Sequence, residues 1–520
     1  MRGVLNAKLG IYNERAGNGE IRYCYRTPDG HESPTLRVKP GDLVVLHLSN
    51  HLVPLDDGTS DAMTSHHHLV TARDSNPCTN GTMSAISTNL HFHGMLVPPT
   101  CHQDEVLKTS IQPGDPPFEY RFRVPKNQPA GLYWYHPHIH GFGSVQLTGG
   151  ASGALIVEGL ERAIPEVADL PERVFVIRDQ NLLNPDAPPS KWEPVVPPPK
   201  FDPDGDIANN NTGYGKPARD LSVNFVPVPY PDYTPATLTV KPGQRELWRV
   251  LNAAANTYLH LSLLYDTVPQ SLGVVAIDGV SVNQADANLP HVKPVDHLVI
   301  PPGGRAEFVV QTPALGVKAL LITRLVDTGQ DGENDPNRAL VAVQAVADAP
   351  EPHVIPPANS SPPVRSTRPW VGSVTPVRVR RLYLSERRAV ADDPKSPILF
   401  FITEEGKAPK IFDPAAPPDI VVKQGDVEDW IIENRSLEIH AFHIHQLHFQ
   451  LREWYGMEVD EPFLRDTASV PFFDNHMTAY PSIRVRMDFR DPSTVGTFAY
   501  HCHLLEHEDG GMMGTIRVER

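Results

Sequence analysis

One strand–turn–strand phrase occurs three times in this chain and limits the fold more than any other feature. Residues 35–50 read TLRVKPGDLVVLHLSN, residues 237–252 read TLTVKPGQRELWRVLN, and residues 420–434 return more loosely as IVVKQGDVEDWIIEN. Apolar positions alternate on both sides of a Gly-centred turn, which is the pattern of half-buried strands. The turn glycines Gly41, Gly243 and Gly425 lie 202 and 182 residues apart. That spacing is far too long for a solenoid repeat and suits three sandwich-sized domains with loop insertions. The 54 prolines and 36 glycines, scattered among Val- and Thr-rich runs, favour short strands and many turns. The expected class is therefore all-β.

Composition shifts place the units at 1–160, 161–350 and 351–520. The first closes after GALIVEGL, and the second opens with VFVIRDQ. Residues 185–231 read as a long loop, 346–376 as a Pro-rich extended tether, and 460–480 as a loop with short turns. The formal net charge of -16, with no basic stripe, excludes a nucleic-acid partner. No apolar run approaches the roughly 20 residues of a spanning helix. The N-terminus MRGVLNAKLG lacks the apolar stretch of a signal peptide, as expected of a processed start or a cytosolic protein. Cys78 and Cys101 bracket the first histidine motif; they form either a disulfide across that loop or two buried thiols. Cys24 reads as a small core residue.

The chemistry is written in histidine clusters. LHFHG puts His91 and His93 on one face of a strand, and YWYHPHIHG does the same for His136 and His138, with His140 one step further. In HAFHIH the spacing of three turns His440 away from His443 and His445, which the spacing of two keeps together. The last strand repeats the device, with Cys502 pointing one way and His501 and His503 the other; His507 and Met512 follow in the next loop. A thiolate with imidazoles and a thioether is a copper set of the electron-transfer type, whereas structural zinc rarely recruits Met. Strand parity thus predicts one site from His440, Cys502 and His507, and a second from eight histidines, His91, His93, His136, His138, His443, His445, His501 and His503. The second draws equally on the first and third units, which must pack together; the middle unit is expected to serve as spacing and support.

The motifs HFHG, HPH, HxxHxH and HCHxxxHxxxxM, in this order, resemble those of the multicopper oxidases, and the resemblance covers essentially the whole chain. It implies three cupredoxin-like domains of Greek-key β-sandwich form and four copper ions. The type 1 copper falls to His440, Cys502 and His507 with Met512 axial, and the type 2 copper to His91 and His443. The type 3 pair falls to His93, His136, His138, His445, His501 and His503. Ala441 replaces the family's usual proline without removing a ligand. Asp104 and Glu508 resemble the family's proton-delivery carboxylates. The RDT at 465–467 resembles a segment near the type 1 region, with Asp466 as a structural acceptor. His448 reads as a supporting histidine, Met513 as a neighbour able to compete for the axial place, and His66, His67 and His68 as a solvated loop.

The implied reaction is laccase-like. A phenol or aromatic amine loses electrons one at a time at type 1 copper, and dioxygen is reduced to water at the trinuclear cluster. Oxidation of cuprous, ferrous or manganous ions is the alternative; the nine scattered methionines form no Met-rich segment of the copper-tolerance kind. A copper carrier or a relative without its coppers is the remaining reading, against which the complete ligand set weighs. By resemblance the chain is secreted or periplasmic, and a monomer with partners limited to donor and dioxygen.

Overall fold

The computed structural model describes residues 3–17, 19–55, 76–80, 82–191, 193–194, 196, 198–357, 368–459 and 461–520. The His66–His68 run lies outside them. Among the described residues the strands form six sheets, in three successive pairs. The first pair is built from strands between Val4 and Val157, the second from strands between Glu172 and Ala345, and the third from strands between Arg378 and Glu519. Among the described residues helix is confined to short pieces such as Pro77–Asn80, Gly143–Thr148 and Leu505–Asp509. No described helix is long and apolar enough to cross a membrane.

The repeated phrase is the corner at which the chain passes from one sheet of a pair to the other. Its first strand pairs parallel with the last strand of the same unit, as Leu36–Val38 does with Gly153–Val157, Ala236–Val240 with Arg338–Ala345, and Ile420–Lys423 with Met513–Glu519. Its second strand pairs parallel with the unit's opening strand: Leu43–Asn50 with Val4–Arg15, Arg245–Asn252 with Glu172–Gln180, and Val427–Asn434 with Arg378–Arg388. Gly41, Gly243 and Gly425 sit at the corners with φ of 93°, 66° and 106°, where a side chain would be strained. Five residues on, Trp248 and Trp430 fill the second and third cores, and their ring N–H groups donate to Glu246 and Glu428. A buried indole keeps a partner in this way.

Three local expectations are corrected. Strands Asp220–Val223 and Val226–Val228 lie in the stretch read as one long loop, because Leu221, Val223 and Val228 complete the second core. The 346–376 stretch is more than a tether: Ile355 is buried against Leu160 and Val167, and its backbone exchanges hydrogen bonds with 169–170. Thr467–Val470 is a strand, since its pairing with His440–Ile444 satisfies backbone groups that would otherwise be buried unpaired.

Cys78 and Cys101 are disulfide-bonded, 23 residues apart, and Cys24 is a buried free thiol. Closing a loop of this length stabilises a domain by about 3 kcal/mol on chain-entropy grounds. Cys101→Ser is expected to lower the unfolding free energy of the first sandwich by that amount, read from the denaturant midpoint. An unchanged midpoint would show that the bridge constrains nothing.

Candidate metal centres

Strand register delivers the thiolate and two imidazoles to one point. Phe442 faces Cys502 and His443 faces His501 across the antiparallel pair, so His440 shares the Cys502 face and His443 the other. Cys502 Sγ lies 3.5 Å from His440 Nδ1 and 3.7 Å from His507 Nδ1, and the two nitrogens are 3.0 Å apart. Each ring is aimed by its far nitrogen: His440 Nε2 bonds Ser436 Oγ at 2.6 Å, and His507 Nε2 lies 3.0 Å from Glu438. Phe400 stacks on His507. Met512 is fully buried in the core cluster that contains Cys502, whereas Met513 packs with Leu107, Phe412 and Ala499. Met512 is therefore the methionine placed on the thiolate side.

On the opposite face the eight remaining histidines meet, four from the first sheet pair and four from the third. Their ligand atoms gather within 4.8 Å of one another as His93–His136–His503 and His138–His445–His501, and His91 and His443 group with His93. Both ends of the cluster sit just past strands, since His445 follows Ile444 and His503 follows Cys502. Far nitrogens again set the rings. His136 Nδ1 bonds Pro137 O, His443 Nδ1 bonds Asp466 O, and His501 Nδ1 bonds Cys502 O. His91 Nδ1 lies 3.1 Å from Asp104 and His93 Nε2 3.1 Å from Asp466. Such partners fix the tautomer and leave the other nitrogen as ligand.

The residues fit a metal cluster. The nitrogens left over, His91 Nε2, His93 Nδ1, His136 Nε2, His443 Nε2, His445 Nδ1 and both of His503, are buried and meet no hydrogen-bond partner among the described residues. Buried polar atoms are rarely left so. Burial, reinforced by the neighbouring imidazoles, pushes these histidines below their ordinary pKa, to about 4 for His93 and His501. Neutral imidazole is the metal-binding form.

Besides Asp466, two carboxylates approach the cluster from outside. Asp104 accepts from Phe92 N and Gln446 Nε2 besides meeting His91, and Glu508 Oε1 lies 3.8 Å from His138 Nδ1. Burial pushes both carboxyls well above the usual range. Asp466 receives a bidentate pair from Arg305 and is fully buried, with its carboxylate against His93. His448 is buried with Nε2 3.4 Å from Asp466. His140 packs edge-on to Phe412.

Sequence reading missed the surroundings of His507. A cavity of about 20 Å³ is lined by Asp202, Asp204, Glu333, Asp335, Glu438 and Glu506 together with His507. Asn256 also lines it, 5% exposed, with Oδ1 lacking a partner among the described residues. The strings DPDGD at 202–206 and DGEND at 331–335 were the available signal.

A thiolate–imidazole site joined through one strand to an eight-histidine cluster is the architecture of a copper-dependent oxidase. The comparisons agree: family models described as multicopper oxidase match residues 77–162, 182–343 and 392–520, and the chain belongs to the multicopper oxidase family. It is an oxidoreductase with oxygen as acceptor, and its cofactor is four copper ions. An iron transport multicopper oxidase of Gibberella zeae is 23% identical over 83% of this chain and 67% of its own length. A laccase of Bacillus stratosphericus is 23% identical over 83% of this chain and 81% of its own. The solved structure of a Campylobacter jejuni multicopper oxidase, described as a metallo-oxidase, superposes with a TM-score of 0.65 at 23% identity, covering 99% of this chain and 92% of that one. The sandwiches are thus cupredoxin-like.

Proposed function

We propose that this oxidase takes its electrons from a small divalent metal ion, of the ferrous or manganous kind, bound in the acidic cavity beside His507. The observation that carries this reading is the cavity itself. Its measure of about 20 Å³ compares with roughly 10–15 Å³ for one water, whereas small-molecule pockets run to about 300–1,000 Å³. Its described lining offers carboxylate and amide oxygens and no methionine, which suits hard or borderline cations and not cuprous ion. Glu438 both lines the cavity and meets His507 Nε2, so a cation held there is one contact from the thiolate site. The laccase-like reading on phenols, to which the Bacillus stratosphericus relative lends its name, would need an aromatic-sized opening, and this cavity of about 20 Å³ is far smaller than that.

In this reading His440, Cys502 and His507, with Met512, hold the type 1 copper. His91 and His443 hold the type 2 copper, and His93–His136–His503 and His138–His445–His501 each hold one copper of the type 3 pair. Bound copper supplies the one-electron steps and the site of dioxygen reduction. The balance is four divalent ions, one dioxygen and four protons giving four trivalent ions and two waters. Asp202, Asp204 and Glu438 bind and orient the donor. Asp104 and Glu508 hold protons beside His91 and His138, where water is formed.

Oxygen uptake with ferrous, manganous and phenolic donors tests the proposal. Asp204 is exposed at the cavity rim, so its replacement leaves the core alone. Asp204→Asn is expected to lower kcat/KM for the metal donor about 10-fold or more, the effect of losing one charged partner worth ~1.5–3 kcal/mol, and to leave phenol turnover unchanged. Equal loss with both donors would contradict a metal-binding role.

A further inference from the structure

We infer that Arg305, from the middle sheet pair, is a positioning residue for the trinuclear cluster: through Asp466 it fixes which nitrogen His93 offers to metal. The inference rests on the reading that the eight histidines hold copper.

Arg305 opens strand Arg305–Gln311 and is fully buried, with every direction of its guanidinium committed. Nε donates to Leu132 O at 3.2 Å, Nη1 to Gly303 O at 3.1 Å, and Nη2 to Asp278 O at 3.0 Å. The remaining fork closes on Asp466, with Nη1 to Oδ1 at 2.7 Å and Nη2 to Oδ2 at 2.6 Å. Leu132 belongs to the first sheet pair, Gly303 and Asp278 to the second, and Asp466 to the third. One side chain therefore ties all three together beneath the cluster.

Asp466 passes that constraint on. Its Oδ1 meets His93 Nε2 and accepts from Thr467 Oγ1 at 2.9 Å, and its backbone oxygen accepts from His443 Nδ1 at 2.8 Å. His93 thus spends Nε2 on Asp466 and leaves Nδ1, whereas His91, His136 and His443 spend Nδ1 and leave Nε2. The reversed ring follows from where Asp466 stands, and Asp466 stands where the fork of Arg305 holds it. Space enforces the arrangement. A Cβ on Gly94, next to His93, would lie 2.5 Å from both Arg305 Nη2 and Asp466 Oδ2, and one on Gly303 would lie 2.9 Å from the His503 ring. The middle unit is then more than a spacer, since it supplies the anchor that orients a ligand belonging to the first.

The test replaces both partners. Arg305→Met alone would leave Asp466 charged and unpaired, so the double variant Arg305→Met with Asp466→Asn removes both charges together. Arg305→Lys keeps the charge but not the planar fork and serves as the second variant. Copper-loaded proteins are dialysed against a graded chelator series, and copper per chain is counted beside the blue thiolate absorption. Loss of a partner that orients a ligand typically weakens metal binding about 10–100-fold. The expected result is that shift for the trinuclear coppers, with the blue band retained at wild-type chelator strength and Arg305→Lys falling between. Unchanged retention, or parallel loss of blue band and trinuclear copper in both variants, would overturn the inference. If wild type holds no copper beyond the blue one, the reading of the histidine cluster fails and the inference with it.

Discussion

Cys502→Ser is expected to abolish the blue absorption and drop turnover to background while three of the four coppers stay bound. The separation follows from register. Cys502 faces His440 and His507, and its neighbours His501 and His503 face the other cluster, so a change at Sγ touches one site only. Serine keeps the strand, the backbone bond from Cys502 N to Met512 O, and the packing. It removes the soft ligand that the type 1 site needs. Copper counting and absorption on one sample check this. Loss of all four coppers would mean that the two sites are not independently built.

The second large effect is expected at Asp104 and Glu508, the carboxylates proposed to hold protons. Asp104→Asn keeps the shape of a side chain that meets His91, Phe92 N and Gln446, but removes an exchangeable acid. A positioned acid contributes about 10²–10⁴-fold to a proton-dependent step. Reoxidation by dioxygen is expected to slow by that range while reduction of the blue site by donor keeps its rate. Glu508→Gln, beside His138 on the other side of the cluster, is expected to act in the same direction. Stopped-flow measurement of the two half-reactions separates them. Slowing of donor oxidation instead would place these residues elsewhere in the cycle.

The grouping of the candidate ligands was legible because copper chemistry and strand geometry both leave marks in one dimension. A thiolate flanked by two histidines, and spacings of two and three, suffice to assign faces. The three-fold corner was legible because Gly41, Gly243 and Gly425 must adopt positive φ inside a fixed strand pattern. What escaped was everything assembled from distant segments. Arg305 and Asp466 are 161 residues apart, and nothing local to either announces a bidentate pair. Likewise the acidic cavity joins Asp202 and Asp204 with Glu333, Asp335, Glu438 and Glu506, which are far apart in the sequence. The strand Thr467–Val470 was missed because its pairing with the His440 strand, and not its own pattern, defines it.

The claim that a metal ion feeds electrons in beside His507 is tested most directly by following the blue absorption without oxygen. Copper-loaded protein mixed anaerobically with ferrous or manganous ion should bleach in a saturable, donor-dependent phase that outpaces bleaching by a phenol at equal concentration and slows in Asp204→Asn. Faster bleaching by the phenol, indifferent to Asp204, would contradict the account and return the site to an aromatic donor.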